Sequence, residues 1–202
     1  MTASLDRRSL LRGLLLIPAA LLLPPPGRQD RLSQQALALG GTLPELDAPA
    51  PDFSLDGVSP DGKGDPEAAH LDLSDFAGRW LVLYFYPRDF TSGCTLEARG
   101  FQRDQPAYRQ AGAVVVGVSA DDPDSHASFC GSEGLAYPLL SDPGGQVSRR
   151  YGSWMAPFSL RHTFLIDPSG TLRARWVGVN PSRHSAEVLE TLAALQTATP
   201  SA

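Results

Sequence analysis

Cysteine is scarce in this sequence, and the patterns that indicate a metal or nucleic-acid site are missing. Two cysteines among 202 residues are too few for a disulfide-rich scaffold or a Cys-rich zinc site. The four histidines show no close metal-ligand spacing; they are His70, His126, His162 and His184. The net charge of -5 and the pI near 5.3 argue against nucleic acid or an acidic membrane surface as a principal partner, because both select clustered Lys and Arg.

A long hydrophobic run is also absent, although residues 1–30 carry a short one. Arg7 and Arg8 precede an apolar stretch from Leu14 to Leu23 and then a proline cluster. A charged start followed by about ten apolar residues is typical of a secretory signal, and this run is shorter than the roughly 20 residues of a membrane-spanning helix. The paired arginines resemble a twin-arginine export signal. We therefore expect an exported, periplasmic or cell-envelope protein without stable membrane insertion.

Two alternatives to export are a disordered N-terminal arm on a cytoplasmic protein and an uncleaved anchor. The rest of the composition, with 42% hydrophobic and 19% charged residues, is that of one ordinary globular domain. We interpret residues 31–46 as a linker and residues 47–202 as that domain. Near its start, residues 57–70 are rich in Gly, Pro and polar residues, which predicts a surface loop between two strands.

The most informative stretch runs from Trp80 to Phe101. Its first seven residues, Trp80 to Tyr86, are apolar or aromatic, as expected of a strand that is buried on both faces. Pro87 ends this strand and a turn-rich segment follows. From Cys94 onward the sequence favours a helix with Glu97 in its first turn, where a carboxylate suits the helix dipole. Cys94 is therefore predicted at a helix N-terminus, where a thiolate is stabilised.

The remaining elements predict an α/β domain. A second β-branched run, Ala113 to Ser119, makes a βαβ unit with the first strand and the helix between them. Asp122 and Pro123 suit the cap and first position of another helix, roughly Pro123 to Ser132. Later segments predict strands from Arg161 to Asp167 and Leu172 to Val179, and a closing helix from Ser185 to Leu195. This central mixed sheet flanked by helices resembles the thioredoxin fold.

Three residues around the predicted turn carry a specific family resemblance. Pro87, Thr91 and Cys94 reproduce the P-x-x-x-T-x-x-C signature of peroxiredoxins, and FYPRDFTSGCTLEA resembles the Q type, also called bacterioferritin-comigratory proteins. The resemblance extends from about Asp47 to Leu195. Phe90 and Ser92 depart from it, since Q-type members commonly carry a polar residue and a proline there; the departures concern substrate preference more than the chemistry.

The resemblance implies roles for four residues around the nucleophile Cys94. Thr91 would place its hydroxyl beside the sulfur and the incoming peroxide, and Pro87 would shield the sulfur from water. Arg161, at the start of RHTFLID, matches the active-site arginine of the family, and its always-charged guanidinium suits both a thiolate and peroxide oxygens. Strand alternation would send His162 to the opposite face. Glu97 is expected to complement the helix dipole; the alternative is that it orients the pocket, as its counterpart in Q-type proteins does.

The resolving thiol is the second implied feature. Many Q-type members carry it five residues after the nucleophile, where this sequence has Arg99. Cys130 matches the other Q-type arrangement, with the resolving cysteine on the following helix; the alternative is a small buried core residue. Gly131 and Gly134 just beyond it would ease the local unfolding that disulfide formation needs.

The function implied is a monomeric thiol-dependent peroxidase that reduces hydrogen peroxide and organic hydroperoxides without metal, haem or flavin. Its Cys94 sulfenic acid would be resolved by Cys130, and thioredoxin or another dithiol protein would recycle the disulfide. Two alternatives remain open: an exported thiol–disulfide oxidoreductase, although no C-x-x-C is present, and a redox-sensing binding module. A Cys/His hydrolase is disfavoured because the cysteine turn lacks a nucleophile elbow.

Overall fold

The structure is a computed structural model and describes residues 40–60 and 66–198. The predicted signal at residues 1–30 and most of the predicted linker lie outside the described residues, so both stay predictions. In the described part of the chain, no helix combines the length and apolar character that a membrane span requires.

The centre of the fold is the predicted βαβ unit. Strand β3 (Trp80–Phe85) is followed by helix α1 (Ser92–Gln110) and strand β4 (Ala113–Ser119), and the two strands pair in parallel. Side chains of β3 alternate between two apolar clusters, one on each face of the sheet. The expectation of a strand buried on both faces is thereby confirmed.

Besides β3 and β4, the sheet contains β1 (Ser54–Pro60), β2 (Pro66–Asp72), β5 (Leu139–Ser141), β8 (His162–Ile166) and β9 (Leu172–Val177). Within the described residues these seven strands form one mixed sheet, in the order β2-β1-β5-β4-β3-β8-β9. The central strands β3, β4 and β5 are parallel, whereas β1, β2, β8 and β9 pair antiparallel. The predicted α/β class with a central mixed sheet is confirmed.

Helices cover the sheet, and the structure confirms the predicted start of one of them. Helix α2 (Pro123–Glu133) begins at Asp122, whose side chain accepts a hydrogen bond from Ser125 N, and Pro123 is its first residue. The remaining elements are a 3-10 helix (Leu73–Phe76), α3 (Gln146–Arg150), α4 (His184–Ala198) and a small separate hairpin of β6 (Trp154–Met155) and β7 (Phe158–Ser159).

The prediction of a long loop over residues 57–70 is wrong. Strands β1 and β2 run through most of it as an antiparallel hairpin, with Gly57 opposite Ala69 and Pro60 opposite Pro66. The segment lies at the edge of the sheet, where β2 has a single partner strand. An edge strand tolerates the proline and polar residues that suggested a loop.

Candidate active site

Three chain segments meet at one edge of the sheet because of strand register. Phe85, the last residue of β3, pairs with Val118 of β4 on one side and with His162 of β8 on the other. Strand β8 runs antiparallel to β3, so its first residues lie beside the end of β3. The loop that leads from β3 to Cys94 is therefore placed next to Arg161 and next to the start of α2.

Cys94 is the third residue of α1, whose N-cap is Thr91. The helix begins two residues earlier than predicted, and the cysteine still lies in its first turn, where unpaired N–H groups and the helix dipole favour negative charge. Its exposed fraction is 1%. The position at a helix N-terminus is confirmed.

Arg161 contacts Cys94 directly. Its Nη2 donates to Cys94 Sγ over 3.2 Å, and its Nη1 donates to Glu97 Oε2. The guanidinium is partly exposed, whereas the Glu97 side chain is fully buried. A cation at this distance stabilises negative charge on sulfur, and its remaining N–H groups suit oxygen atoms of a bound substrate.

Glu97 belongs to the pocket, which corrects the preference for a dipole role. It lies beyond the first turn of α1, and its side chain faces Arg161. Burial raises the pKa of Glu97 to about 7, while the charge of Arg161 acts in the opposite direction. Its second oxygen, Oε1, has no hydrogen-bond partner among the described residues. Glu97 therefore changes its protonation state near neutral pH, one helical turn from the nucleophile.

Thr91 and Pro87 occupy the loop before Cys94, at the rim of the site. The Thr91 hydroxyl donates to the carbonyl oxygen of Arg88 over 3.1 Å, and its backbone oxygen accepts from Thr95 N. Pro87 is half-buried and follows the end of β3 by two residues. Both therefore fix the loop, and their contact with substrate stays a prediction.

Gly93 is a further residue of the site, to which the sequence analysis gave no role. A methyl group at its Cα would lie 3.1 Å from Arg161 Nη2, the atom that contacts the sulfur. Its position immediately before Cys94 in the motif was the available signal. Glycine leaves room for the guanidinium to approach the helix start.

Behind Arg161 lies a buried histidine that the sequence analysis also missed. His184, at the start of α4, has no exposed surface and lies 2.7 Å from Thr163 Oγ1 through Nε2. Burial, with a smaller contribution from the charge of Arg161, lowers the pKa of His184 to about 4. His162 instead accepts a hydrogen bond from Gly178 N at Nδ1, so it does not replace Arg161 in the pocket.

Cys130, the predicted resolving residue, lies on α2. Its exposed fraction is 1%, and it belongs to the same apolar cluster as Cys94. Burial, and secondly the charge of Asp89, raise the pKa of Cys130 to about 12. Both cysteines are free thiols in this structure. The Cys130 thiol is thus covered in this structure, and its resolving role stays a prediction.

One family model matches most of the chain. It is described as the AhpC/TSA family and covers residues 46–175. Peroxiredoxin Bcp of Bacillus subtilis is 35% identical over 156 residues, which are 73% of this chain and 94% of that protein. The chloroplastic peroxiredoxin Q of Gentiana triflora is 34% identical over 173 residues, 84% of this chain and 73% of that protein.

Solved structures of similar proteins share the fold. A mutant PrxQ from Xylella fastidiosa has a TM-score of 0.70 and 31% identity, covering 77% of this chain and 99% of that chain. A Xanthomonas campestris bacterioferritin comigratory protein, solved in work on its alkyl peroxide reduction activity, has a TM-score of 0.64 and 32% identity over 71% of this chain and 91% of that chain. The predicted thioredoxin-like fold is thereby confirmed.

Proposed function

Since the chain belongs to the AhpC/TSA family and, within it, to the peroxiredoxin Q/Bcp group, it is a thiol-dependent peroxidase, and we propose that Cys94 is its reacting thiol. The observation that carries this proposal is the 3.2 Å contact between Arg161 Nη2 and Cys94 Sγ at the start of α1. A helix N-terminus and a guanidinium together favour the thiolate, which is the nucleophilic form of cysteine.

The first step is a displacement at oxygen. The Cys94 thiolate attacks the terminal oxygen of the hydroperoxide, an S–O bond forms, and the O–O bond breaks. The departing alkoxide or hydroxide takes a proton, which leaves an alcohol or water and the sulfenic acid of Cys94. Arg161 donates to the charge that develops on these oxygens. Pro87 and Thr91 hold the loop before Cys94, and Thr91 offers its hydroxyl to the peroxide.

The second step joins the two cysteines. The Cys130 thiol attacks the sulfur of the sulfenic acid, a disulfide forms and water leaves. Because Cys130 is buried and its pKa is raised to about 12, helix α2 has to open first. Gly134 caps the C-terminus of α2 in the left-handed conformation, with φ of 62°. We expect the opening of α2 to begin at this end of the helix. Thioredoxin or another dithiol protein then reduces the disulfide.

We propose hydrogen peroxide and small organic hydroperoxides as substrates. The reduction of alkyl peroxides by the Xanthomonas campestris relative supports the organic class. On this chain, Phe90 in the loop before Cys94 has an exposed fraction of 55%, which offers an apolar surface close to the nucleophile.

Mass analysis after one equivalent of peroxide tests both cysteine roles. We expect the wild type to lose the mass of two hydrogen atoms as the Cys94–Cys130 disulfide forms, and Cys130→Ser to accumulate the Cys94 sulfenic acid and stop after one turnover. Cys94→Ser should consume no peroxide. A Cys94→Ser protein that still reduces peroxide would overturn the proposal. Consumption of a single equivalent by the wild type, with a dithiol reductant in excess, would indicate a sensor instead of a catalyst.

We propose further that the protein is exported and monomeric. Export predicts a shortened N-terminus in the mature protein, and Arg7→Lys combined with Arg8→Lys should keep the full chain inside the cell. Light scattering during size-exclusion chromatography of the reduced protein should give the mass of one chain. An unprocessed N-terminus, or twice that mass, would contradict the respective proposal.

A further inference from the structure

A buried carboxylate lies in the loop before Cys94 and takes no part in the steps above. Asp89 has a side chain that is 1% exposed, and three side chains donate to it. Tyr86 donates its hydroxyl to Oδ1 over 2.7 Å, Ser125 donates to Oδ2 over 2.7 Å, and His126 Nδ1 lies 2.9 Å from Oδ2. We assign His126 Nδ1 as the donor of this contact and Asp89 Oδ2 as the acceptor.

These contacts connect the two elements that the proposed resolving step would separate. Asp89 belongs to the loop between β3 and Cys94, whereas Ser125 and His126 belong to the first turn of α2. On the outer side of the same junction, Phe90 packs edge-on against Phe129 of α2, with ring centroids 5.1 Å apart. The catalytic loop and α2 are therefore tied together by buried charge-assisted hydrogen bonds and by a ring contact.

The loop backbone is locally strained next to this junction. Phe90 has φ of 57°, a left-handed conformation that a bulky residue adopts only where surrounding contacts impose it. The Asp89 backbone N–H donates to Asp121 Oδ2 over 2.9 Å, directly before α2. Loss of the contacts to α2 would release this segment.

The position of His126 on α2 connects the junction with the second cysteine. His126 and Cys130 are four residues apart, so they lie one above the other on the same side of the helix. Both are buried, and the charge of Asp89 reaches Cys130 as well as His126. A helix that is held at His126 keeps Cys130 covered.

We propose that Asp89 and His126 form a latch that holds α2 against the catalytic loop and thereby sets the rate at which Cys130 becomes available. The relevance of the Asp89–His126 latch to turnover rests on the proposed resolving role of Cys130. Opening of the latch itself is a property of the reduced protein and is measurable without that role.

The latch would decide between two fates of the Cys94 sulfenic acid. With Cys130, the sulfenic acid forms a disulfide and water. With a second hydroperoxide, the sulfur is oxidised to the sulfinic acid while the hydroperoxide is reduced to an alcohol or water. The first fate requires an open α2 and the second does not, so a tighter latch favours overoxidation.

Alkylation of Cys130 in the reduced full-length protein measures latch opening directly. A hydrogen bond to a charged group changes an equilibrium about tenfold, so we expect His126→Leu and Asp89→Asn to accelerate labelling of Cys130 about tenfold. His126→Asn retains a donor near the position of Nδ1 and should remain close to the wild type. Asp56→Asn is the matched control, because Asp56 also pairs with a histidine, His70, but in an exposed position on the β1–β2 hairpin.

A double-mutant cycle separates a latch from general destabilisation of α2. If both residues act through one contact, Asp89→Asn combined with His126→Leu should label no faster than the faster single variant. If the accelerations of the two single variants multiply in the double variant, the latch is overturned. Unchanged labelling of Cys130 in both single variants would also overturn it. If His126→Leu fails to fold, Ser125→Ala removes one donor to Asp89 and should still accelerate labelling severalfold.

Single-turnover kinetics then test the consequence for catalysis. We expect His126→Leu to form the disulfide about tenfold faster and to lose a correspondingly smaller fraction of Cys94 to the sulfinic acid, since one lost hydrogen bond shifts opening by that factor. The reaction of Cys94 with peroxide should change less than about twofold, because the closed form still dominates. If Cys130→Ser leaves the sulfenic acid lifetime unchanged, the resolving role fails while the labelling result stands.

Discussion

Arg161 Nη2 lies 3.2 Å from Cys94 Sγ although 67 positions separate the two residues. The antiparallel register of β3 and β8 creates this contact, because Phe85 pairs with His162 and so places Arg161 beside the loop that leads to Cys94. The sulfur thereby receives a fixed cation in addition to the helix N-terminus.

Replacement of Arg161 should slow the reaction of Cys94 with peroxide. Loss of one preorganised donor costs about 10²- to 10³-fold in rate, so we expect a loss of this size for Arg161→Met. Arg161→Lys should lose less, because lysine keeps the charge but lacks the forked N–H donors of the guanidinium. Stopped-flow kinetics with hydrogen peroxide provide the rate constant. Arg99→Met is the control, since Arg99 is an exposed partner of Glu133. Equal rates in Arg161→Met and the wild type would contradict the assigned role.

The pH dependence of the same rate constant should report Glu97. The pKa of Glu97 is raised to about 7, so the residue is protonated below that pH and ionised above it. An ionised Glu97 takes a share of the Arg161 charge away from the sulfur. Below pH 7 we therefore expect the wild type and Glu97→Gln to have the same rate constant. Above pH 7 the rate constant of the wild type should be the lower of the two. A Glu97→Gln variant that is slower at every pH would instead indicate that the carboxylate orients Arg161.

Gly93→Ala should reduce activity without reducing stability. The new methyl group would lie 3.1 Å from Arg161 Nη2, which has to move by a few tenths of an ångström away from the added carbon, and this changes its contact with the sulfur. Alanine is the better helix former by up to about 1 kcal/mol. We expect a severalfold slower reaction with peroxide at an unchanged or raised melting temperature. Gly100→Ala, in the same helix and without a close contact to the added carbon, is the control. Equal rates in Gly93→Ala and the wild type would show that Arg161 does not need this space.

Acid should destabilise the protein through His184. The folded-state pKa of His184 is about 4, below the ordinary value of 6.5, so between these pH values the unfolded chain binds a proton that the folded chain excludes. Stability from this group is complete above pH 6.5 and is lost as the pH falls towards 4. Urea unfolding at pH 6.5 and pH 4 should show the wild type losing about 3 kcal/mol more than His184→Gln.

His70 provides the control with the opposite sign. Its pKa is raised, first by the hydrogen bond to Asp56, so its contribution to stability is present at low pH and is lost as the pH rises. His70→Gln should therefore make the protein relatively less stable at the lower pH. A His184→Gln variant with the same acid dependence as the wild type would show that His184 is not the responsible group.

Local signals in the sequence predicted the elements that depend on neighbouring residues. The apolar run from Trp80, the β-branched run from Ala113 and the Asp122 cap with Pro123 all appear as predicted. The hairpin at the start of the domain was missed because its edge strands contain Gly, Pro and polar residues, which are common in loops too. Its pairing is a long-range property that composition does not encode.

The same division holds for the site. Cys94 was assigned to a helix N-terminus from the strand and turn before it, and the family motif indicated Pro87, Thr91 and Arg161. Glu97 was misassigned because the helix begins two residues earlier than predicted. Glu97 therefore lies beyond the first turn, and its side chain belongs to the pocket. Gly93 acquires a role only through its distance to a side chain from another strand.

By itself, the sequence determined which residues could be reactive: a cysteine after a strand and a turn, an arginine at a strand entrance and a second cysteine on a capped helix. Tertiary structure decided their surroundings, namely the Arg161–Cys94 contact, the protonation of Glu97 and the bond between Asp89 and His126. The physical reason is that strand and helix propensities act over a few residues. Distances, burial and charge at the site depend on how distant strands pair and how helices pack on them.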